Sequence, residues 1–140
     1  MKIDRTASAQ ARLDTWQQGW QLFSSHPILG VGFNTYRYAI KEYNLGSQQF
    51  LQARGATTND SSLLYVASTT GVIGLIPYLT TFFLLIISAY KAYLSKSAWG
   101  EIFLAGLGGL FLHSFFANSL FYPWILVWIV IVAALTTHKS

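Results

Sequence analysis

The chain has 140 residues, of which 53% are hydrophobic and only 10% are charged, whereas an ordinary soluble domain carries roughly 25% charged residues. It contains no cysteine, which excludes a disulfide framework, a thiolate metal site and a cysteine nucleophile. The formal net charge of +4 favours an anionic partner, either a lipid headgroup or a phosphorylated substrate.

The charge deficit lies in the second half of the chain. Residues 72–90 and 102–137 contain no Asp, Glu, Lys or Arg. Runs of ~18 or more apolar residues are typical of membrane-spanning helices. The sequence therefore predicts an integral membrane protein, and no apolar signal-peptide core is evident before residue 60.

Residues 6–25 are predicted to form the first helix. Its apolar residues recur at intervals of three and four and share one face: Leu13, Trp16, Trp20 and Phe23. Two tryptophans on this face are typical of a helix at the membrane interface, and packing on a small soluble core is the alternative. Pro27 is expected to end the helix, because the residue before a proline avoids the helical conformation.

The stretch "PILGVG" follows, with Pro27, Gly30 and Gly32. It lacks the lysine and hydroxyl of a nucleotide-binding loop, and it follows a helix instead of a strand. We interpret it as a tight turn into a second amphipathic helix over residues 33–43, with Phe33, Tyr36 and Ile40 on its apolar side. Residues 44–59 are rich in glycine and polar side chains and are predicted to form a loop.

Three apolar segments follow, at about residues 62–93, 101–118 and 122–137. Pro77 lies inside the first segment and predicts a kink there. The glycines of "GLGG" in the second segment suit close helix packing. The predicted fold is thus an all-α membrane protein with an amphipathic helical region, residues 1–61, followed by a membrane region, residues 62–140, with three transmembrane helices.

Lysines near the ends of the apolar segments predict how the chain is oriented in the membrane. Lys91 and Lys96 lie between the first two apolar segments, and Lys139 follows the third. Positive residues in short loops favour the cytoplasmic side. This puts the C-terminus in the cytoplasm and residues 1–61 outside it, where arginines would need an anionic ligand.

Several short motifs occur in a fixed order along the chain. An arginine is followed four residues later by a tryptophan, then by the Pro-Gly-Gly turn and an aromatic residue, and finally by a polar pair before "GVIGL". The residues are Arg12, Trp16, Pro27, Gly30, Gly32, Tyr36, Asp60, Ser61, Gly71 and Gly74. With the trailing "HSFFANSLFYPWILVWIV", this order resembles the O-antigen ligase-like family of bacterial polysaccharide polymerases and ligases, from Arg12 to Trp128.

The resemblance implies a fold, a reaction and a location. The chain would be the C-terminal portion of a larger polytopic helical bundle in the bacterial cytoplasmic (inner) membrane. Members transfer glycan from an undecaprenyl-diphosphate-linked donor to a glycan or lipid acceptor at the outer face of that membrane, with no metal or cofactor. Membrane lipids and other membrane subunits are further expected partners. Ligase members often carry a His-Asn pair where this chain has Asp60 and Ser61, which favours a polymerase or another relative.

The resemblance and the chemistry of arginine together predict the diphosphate site. A guanidinium stays charged and binds phosphate with two parallel hydrogen bonds. Arg12, which matches the family motif, is the first candidate for binding the leaving diphosphate, followed by Arg37 and Arg54. For each, the alternative is contact with lipid headgroups or a solvated surface.

Asp60 is the candidate general base that would take the proton of the acceptor hydroxyl. The alternative is structural, because "TTNDSS" is also a good N-cap cluster for the helix that follows. Pro27, Gly30, Gly32, Gly71 and Gly74 are predicted to have structural roles in turns.

Other functions have less support in the sequence. There is no GK[ST], HExxH, CxxC or GxSxG motif, so nucleotide, zinc and serine-hydrolase chemistry lack support, and no metal or nucleic-acid partner is expected. The alternative function is a small non-catalytic membrane scaffold or a transport subunit. A transporter should show ionisable residues along its membrane path, and only His113 offers one.

Overall fold

The computed structural model describes residues 5–47, 51 and 58–137, with side chains from residue 10 onward. These residues form helices and turns, with no strand among them, which confirms the all-helical prediction for this part of the chain. The helices are α1 (Arg5–Ser25), α2 (Tyr36–Glu42), α3 (Ser62–Leu94), α4 (Ala98–Ser114) and α5 (Pro123–Thr137), with a 3-10 turn at Ser119–Phe121 before α5.

The chain divides into two compact units, Met1–Leu75 and Ile76–Ser140. The first turns of α3 therefore belong to the same unit as α1 and α2. The proposed division at residue 61 concerns position relative to the membrane, and it stays a prediction.

The first unit has a small core, and the face of α1 that contributes to it is largely polar. Its buried apolar residues are Leu22, Tyr36, Ala39, Ile40 and Tyr65. The part of α1 that packs inward consists mainly of polar and small residues, because Thr15, Gln18 and Gly19 are buried beside Leu22.

The predicted apolar stripe of α1 is only partly covered. Leu13 is 56% exposed and Trp20 is 60% exposed, whereas Trp16 and Phe23 are half-buried. The exposed members suit a helix at a membrane surface, and that position stays a prediction. A correction concerns Phe33, which is 76% exposed and precedes α2, because the helix begins three residues later than predicted.

The helix α3 is interrupted at Gly71, which the sequence did not predict, and the kink predicted at Pro77 stays a prediction. Gly71 has φ 61° and ψ −162°, whereas Pro77 lies inside the helix. An unbroken helix would join Val72 N–H to Ser68 O and Ile73 N–H to Thr69 O. The break separates these groups, and each needs another partner.

The turn at residues 27–32 supplies all four partners through its backbone. Val31 N–H donates to Ser68 O and Gly32 N–H to Thr69 O, both at 2.9 Å. In return, Pro27 O accepts from Val72 N–H at 2.9 Å and Ile28 O accepts from Ile73 N–H at 3.3 Å. The two glycine motifs, far apart in sequence, therefore form one clasp, which we define as residues 27–32 and 68–73.

The clasp requires glycine at two positions. Gly30 has φ 66° and Gly71 has φ 61°, a left-handed conformation that other residues adopt at a cost. A Cβ on Gly30 would lie 2.5 Å from Thr70 N, and a Cβ on Gly71 would lie 2.7 Å from Gly30 N. Both distances are too short, so conformation and space each exclude a side chain.

The second unit contains the rest of α3 together with α4 and α5. Its core residues are Phe82, Ala89, Phe103, Leu107, Leu120, Ile129 and Val132. Gly106 lets Trp128 approach closely, since an added Cβ would lie 2.9 Å from Trp128 Cζ2, while Gly108 and Gly109 have no atom within 4 Å of theirs. His113, at the end of α4, hydrogen-bonds Ser119 Oγ at 2.8 Å.

Within the described ranges, α3 is the one helix that is long and apolar enough to cross a membrane. The helix α4 has 17 residues and α5 has 15, and α4 begins and ends earlier than the predicted 101–118. The all-helical fold with one membrane-length apolar helix is therefore observed, and three spans remain a prediction.

Candidate functional site

Asn59 lies at the centre of the candidate site and is completely buried. Its Nδ2 donates to the phenol oxygen of Tyr36 at 2.9 Å and also to the backbone carbonyl of Thr15. Its Oδ1 accepts from Ser61 N–H at 2.8 Å. One amide group thus connects α1, α2 and the start of α3.

Two neighbours of Asp60 close the start of α3. Ser61 Oγ lies 3.4 Å from Leu64 N–H, which is the position of an N-cap acceptor, and Asn59 holds Ser61 N–H. The half-buried Asp60 carboxylate instead accepts from Thr15 Oγ1 at 3.2 Å. Asn59 and Ser61 therefore cap the start of α3, as in the structural alternative, whereas the Asp60 carboxylate lies beside Thr15.

Asp60 lines a groove of about 680 Å³ beside α1. Asp14, Gln17, Gln18 and Gln21 form one wall, because residues spaced by three and four share a helix face. The opposite side is the 44–47 turn, and the remaining lining residues are Ala11, Thr15 and Asp60. The lining thus contains amides, hydroxyls and two carboxylates, with no lysine or arginine among these residues.

Burial fixes the protonation state of Tyr36, which packs behind Asp60. Its side chain is completely buried. Loss of solvation raises the pKa of Tyr36 to about 12, while the hydrogen bond from Asn59 acts in the opposite direction. Tyr36 is therefore a neutral phenol at physiological pH, and it serves as an acceptor for Asn59.

The two predicted diphosphate ligands that the structure describes, Arg12 and Arg37, are not among the residues that line the groove. Arg12 is exposed and precedes Asp14 by two positions, which places it roughly 160° round the helix from that carboxylate. Arg12 is thus next to the apolar stripe of α1. Arg37 is half-buried on α2, and Arg54 lies outside the described residues.

Sequence analysis missed several residues of this site. Thr15 and Gln18 received no role, although Thr15 contacts Asp60 and Gln18 Nε2 donates to Leu45 O at 2.8 Å. The available signal was the polar series Gln10, Asp14, Gln17 and Gln21, which keeps helical spacing opposite Arg12. In the part of the chain that the structure describes, no three His, Cys, Asp or Glu side chains come together as a metal site would need.

The fold and the groove define a class: an all-helical protein with a membrane-length apolar helix and a polar, carboxylate-containing groove before it. The comparison with protein families is more specific, because the family described as O-antigen ligase (Wzy_C) matches residues 2–79. The chain belongs to the O-antigen ligase family, and the match includes α1, the clasp and Asp60. No functionally curated protein matches the chain.

Membership confirms the resemblance seen in the sequence. It assigns the chain, in general terms, to glycan ligation or polymerisation with lipid-linked glycan substrates, in a family of inner-membrane proteins. The family match by itself assigns no donor, acceptor, membrane face or catalytic residue.

Proposed function

We propose that the chain takes part in transfer of a glycan from an undecaprenyl-diphosphate-linked donor to a glycan or lipid acceptor at the outer face of the cytoplasmic membrane. In this reaction the acceptor oxygen forms a bond to the sugar C1 while the bond from C1 to the diphosphate oxygen breaks. The acceptor hydroxyl loses its proton, and the diphosphate leaves with the electron pair. A base and a cationic group are therefore needed on the two sides of C1.

Asp60 takes the acceptor proton. The observation that carries this assignment is that Asp60 lines the open groove while its neighbours Asn59 and Ser61 do the helix capping. Thr15 Oγ1 lies 3.2 Å from Asp60 Oδ2 and shares its single proton between this oxygen and Arg12 O, which leaves the other carboxylate oxygen for a hydroxyl. A carboxylate held by a buried network loses little entropy when it binds substrate.

Arg12 binds the diphosphate, with Arg37 and Arg54 as further ligands. Its place beside the exposed apolar stripe of α1 supports this role, because a donor with a polyprenyl chain carries its diphosphate at the membrane surface. The acceptor hydroxyl and the C1–diphosphate bond must meet within a few ångströms of each other. The long Arg12 side chain would therefore have to extend round α1 towards Asp60 when the donor binds.

The exposed apolar residues of the first unit support a position at the membrane surface. In the clasp, Ile28 is 63% exposed and Leu29 is 70% exposed, and Ile73, bonded to Ile28 O, is 59% exposed. Contiguous exposed apolar residues on a small unit indicate a lipid or protein contact. Residues 1–61 would then lie on the outer membrane surface next to the first turn of the apolar part of α3.

The test removes the Asp60 carboxylate in the full-length protein, as the only copy in cells. Asp60→Asn keeps an oxygen that can accept from Thr15, so the fold should persist, but the base is lost. We expect the amount of long glycan on a gel to fall at least ~100-fold, a typical effect of losing a general base. Glu42→Gln, at an exposed carboxylate outside the groove lining, is the matched control and should keep near-normal product.

The arginine role is tested in the same assay. Arg12→Lys retains the charge but not the bidentate geometry, and we expect shortened or scarce glycan at normal protein level. Lys41→Gln, an exposed cation on α2, is the control. Normal glycan length in both Asp60→Asn and Arg12→Lys would overturn the proposal and favour the scaffold alternative.

A further inference from the structure

The groove beside α1 has a composition that selects among ligands. Its lining includes Gln17, Gln18, Gln21 and Asn44, whose amides both donate and accept hydrogen bonds. Sugar hydroxyls have the same double capacity, so amide and carboxylate groups are suitable partners for them. A volume of about 680 Å³ lies in the usual range for small-molecule sites.

The three glutamines of the α1 wall differ in accessibility. Gln18 is 8% exposed, and its Nε2 donates to Leu45 O. Its Oε1 is buried and has no hydrogen-bond partner among the described residues, so Gln18 mainly connects α1 to the 44–47 turn. Gln17 and Gln21 are exposed in the lining, and their amides are the groups that a sugar in the groove can contact directly.

The charges of the groove decide which sugars fit. Asp14 accepts from Gln10 Nε2 at 3.1 Å and Asp60 accepts from Thr15 Oγ1. Neither contact neutralises the carboxylate, because both donors are uncharged. The charged side chains among the described lining residues are these two carboxylates, so this part of the groove attracts hydroxyl donors and disfavours carboxylates and phosphates.

We propose that this groove binds an uncharged segment of the acceptor glycan and rejects acidic sugars such as uronic acids. The inference rests on the proposed function, in which Asp60 at the groove takes the acceptor proton. It adds the substrate class: a neutral glycan, held by α1 amides, with its reacting hydroxyl at Asp60. The donor diphosphate is held by arginines outside the described lining of this groove.

Binding to a glycan array tests the inference without requiring turnover. The full-length protein in detergent micelles is applied to paired neutral and uronic-acid-containing oligosaccharides, with soluble binding of the best neutral probe measured by fluorescence anisotropy. We expect binding to neutral members only. The double variant Gln17→Ala/Gln21→Ala should weaken binding about tenfold, the loss of two modest hydrogen bonds.

A charge variant sharpens the test. Gln21→Lys places a cation in the groove and should admit uronic-acid probes, whereas Ser25→Lys, on the same helix but outside the lining, should not. Both residues are exposed, so the fold should persist, and an unchanged thermal midpoint checks this. Preference of the unaltered protein for acidic glycans, or binding to no glycan, would overturn the inference.

The two proposals can fail separately. Loss of glycan product in Asp60→Asn together with acidic preference on the array would leave the proposed function and overturn the groove assignment. Neutral-glycan binding together with normal product in Asp60→Asn would do the reverse.

Discussion

At the scale of single residues, a buried amide organises the candidate site. Asn59 uses both ends of its side chain, donating to Tyr36 and Thr15 and accepting from Ser61. Gly19 leaves room for it, because a Cβ there would lie 2.6 Å from Asn59 Nδ2. The position of Asp60 is thus set by its neighbour in sequence and not by its own contacts alone.

The buried phenol of Tyr36 gives this network a pH dependence. Burial raises the pKa of Tyr36 to about 12 from an ordinary value of 10.0, so the folded protein holds the proton more tightly than the unfolded chain. The corresponding stability is complete below pH 10 and is lost as the pH rises through about 12. We expect the free energy of unfolding to fall by about 3 kcal/mol over this window, measured by denaturant unfolding in micelles at several pH values.

Two tyrosine variants isolate this effect. Tyr36→Phe should reduce the alkaline loss, to which the ionisation of other buried tyrosines also contributes, and should cost about 1 kcal/mol at pH 7, because Asn59 loses an acceptor. Tyr38→Phe, at a residue 71% exposed, should behave like the unaltered protein. An identical alkaline decline in Tyr36→Phe and the unaltered protein would contradict the assignment.

At the scale of elements, the clasp replaces two lost helical bonds with four bonds to a turn. These four bonds attach the turn after α1 to the start of the apolar part of α3. Because α1 carries the groove wall and Arg12, the clasp also limits how α1 can rotate or shift. The Pro-Gly-Gly turn and "TTGVIG" therefore act on the site through geometry.

Substitution of the clasp glycines should unfold the first unit. Gly71→Ala and Gly30→Ala each combine a left-handed φ with steric overlap, and we expect a loss of at least ~2 kcal/mol. Gly108→Ala has open space around its Cβ and is the control. The measurement is thermal unfolding and protease resistance in micelles, and equal stability of all three variants would refute the clasp.

At the scale of the whole molecule, membership of the O-antigen ligase family and one membrane-length helix agree on a membrane protein. The apolar part of α3, from Val72 onward, has exposed residues such as Ile73, Phe83 and Leu84 along its length. At about 1.5 Å per residue its length suffices for a hydrocarbon layer of roughly 30 Å.

The absence of cysteine makes the orientation directly testable. A single introduced thiol is unique in this chain, and two exposed serines outside the apolar segments suit the purpose. In intact spheroplasts, Ser25→Cys should react with a membrane-impermeant maleimide, whereas Ser95→Cys should react only after permeabilisation. The opposite labelling pattern would invert the predicted topology.

The sequence alone determined the helices, the membrane class and the family, because each depends on local pattern. Apolar runs indicate membrane segments, Pro27 ends α1 as predicted, and the ordered motifs from Arg12 to Gly74 match the family. These patterns can be recognised in the sequence because each consists of residues that lie close together along the chain.

Only the tertiary structure decided which faces pack and where the helix breaks. The amphipathic pattern of α1 indicated which face is apolar but not that Thr15, Gln18 and Leu22 would be buried against the rest of the first unit. The break at Gly71 was not predicted, because it depends on a distant turn that supplies partners for the freed backbone groups. These hydrogen bonds join residues about 40 positions apart, so the local sequence does not show which backbone groups will bond to each other.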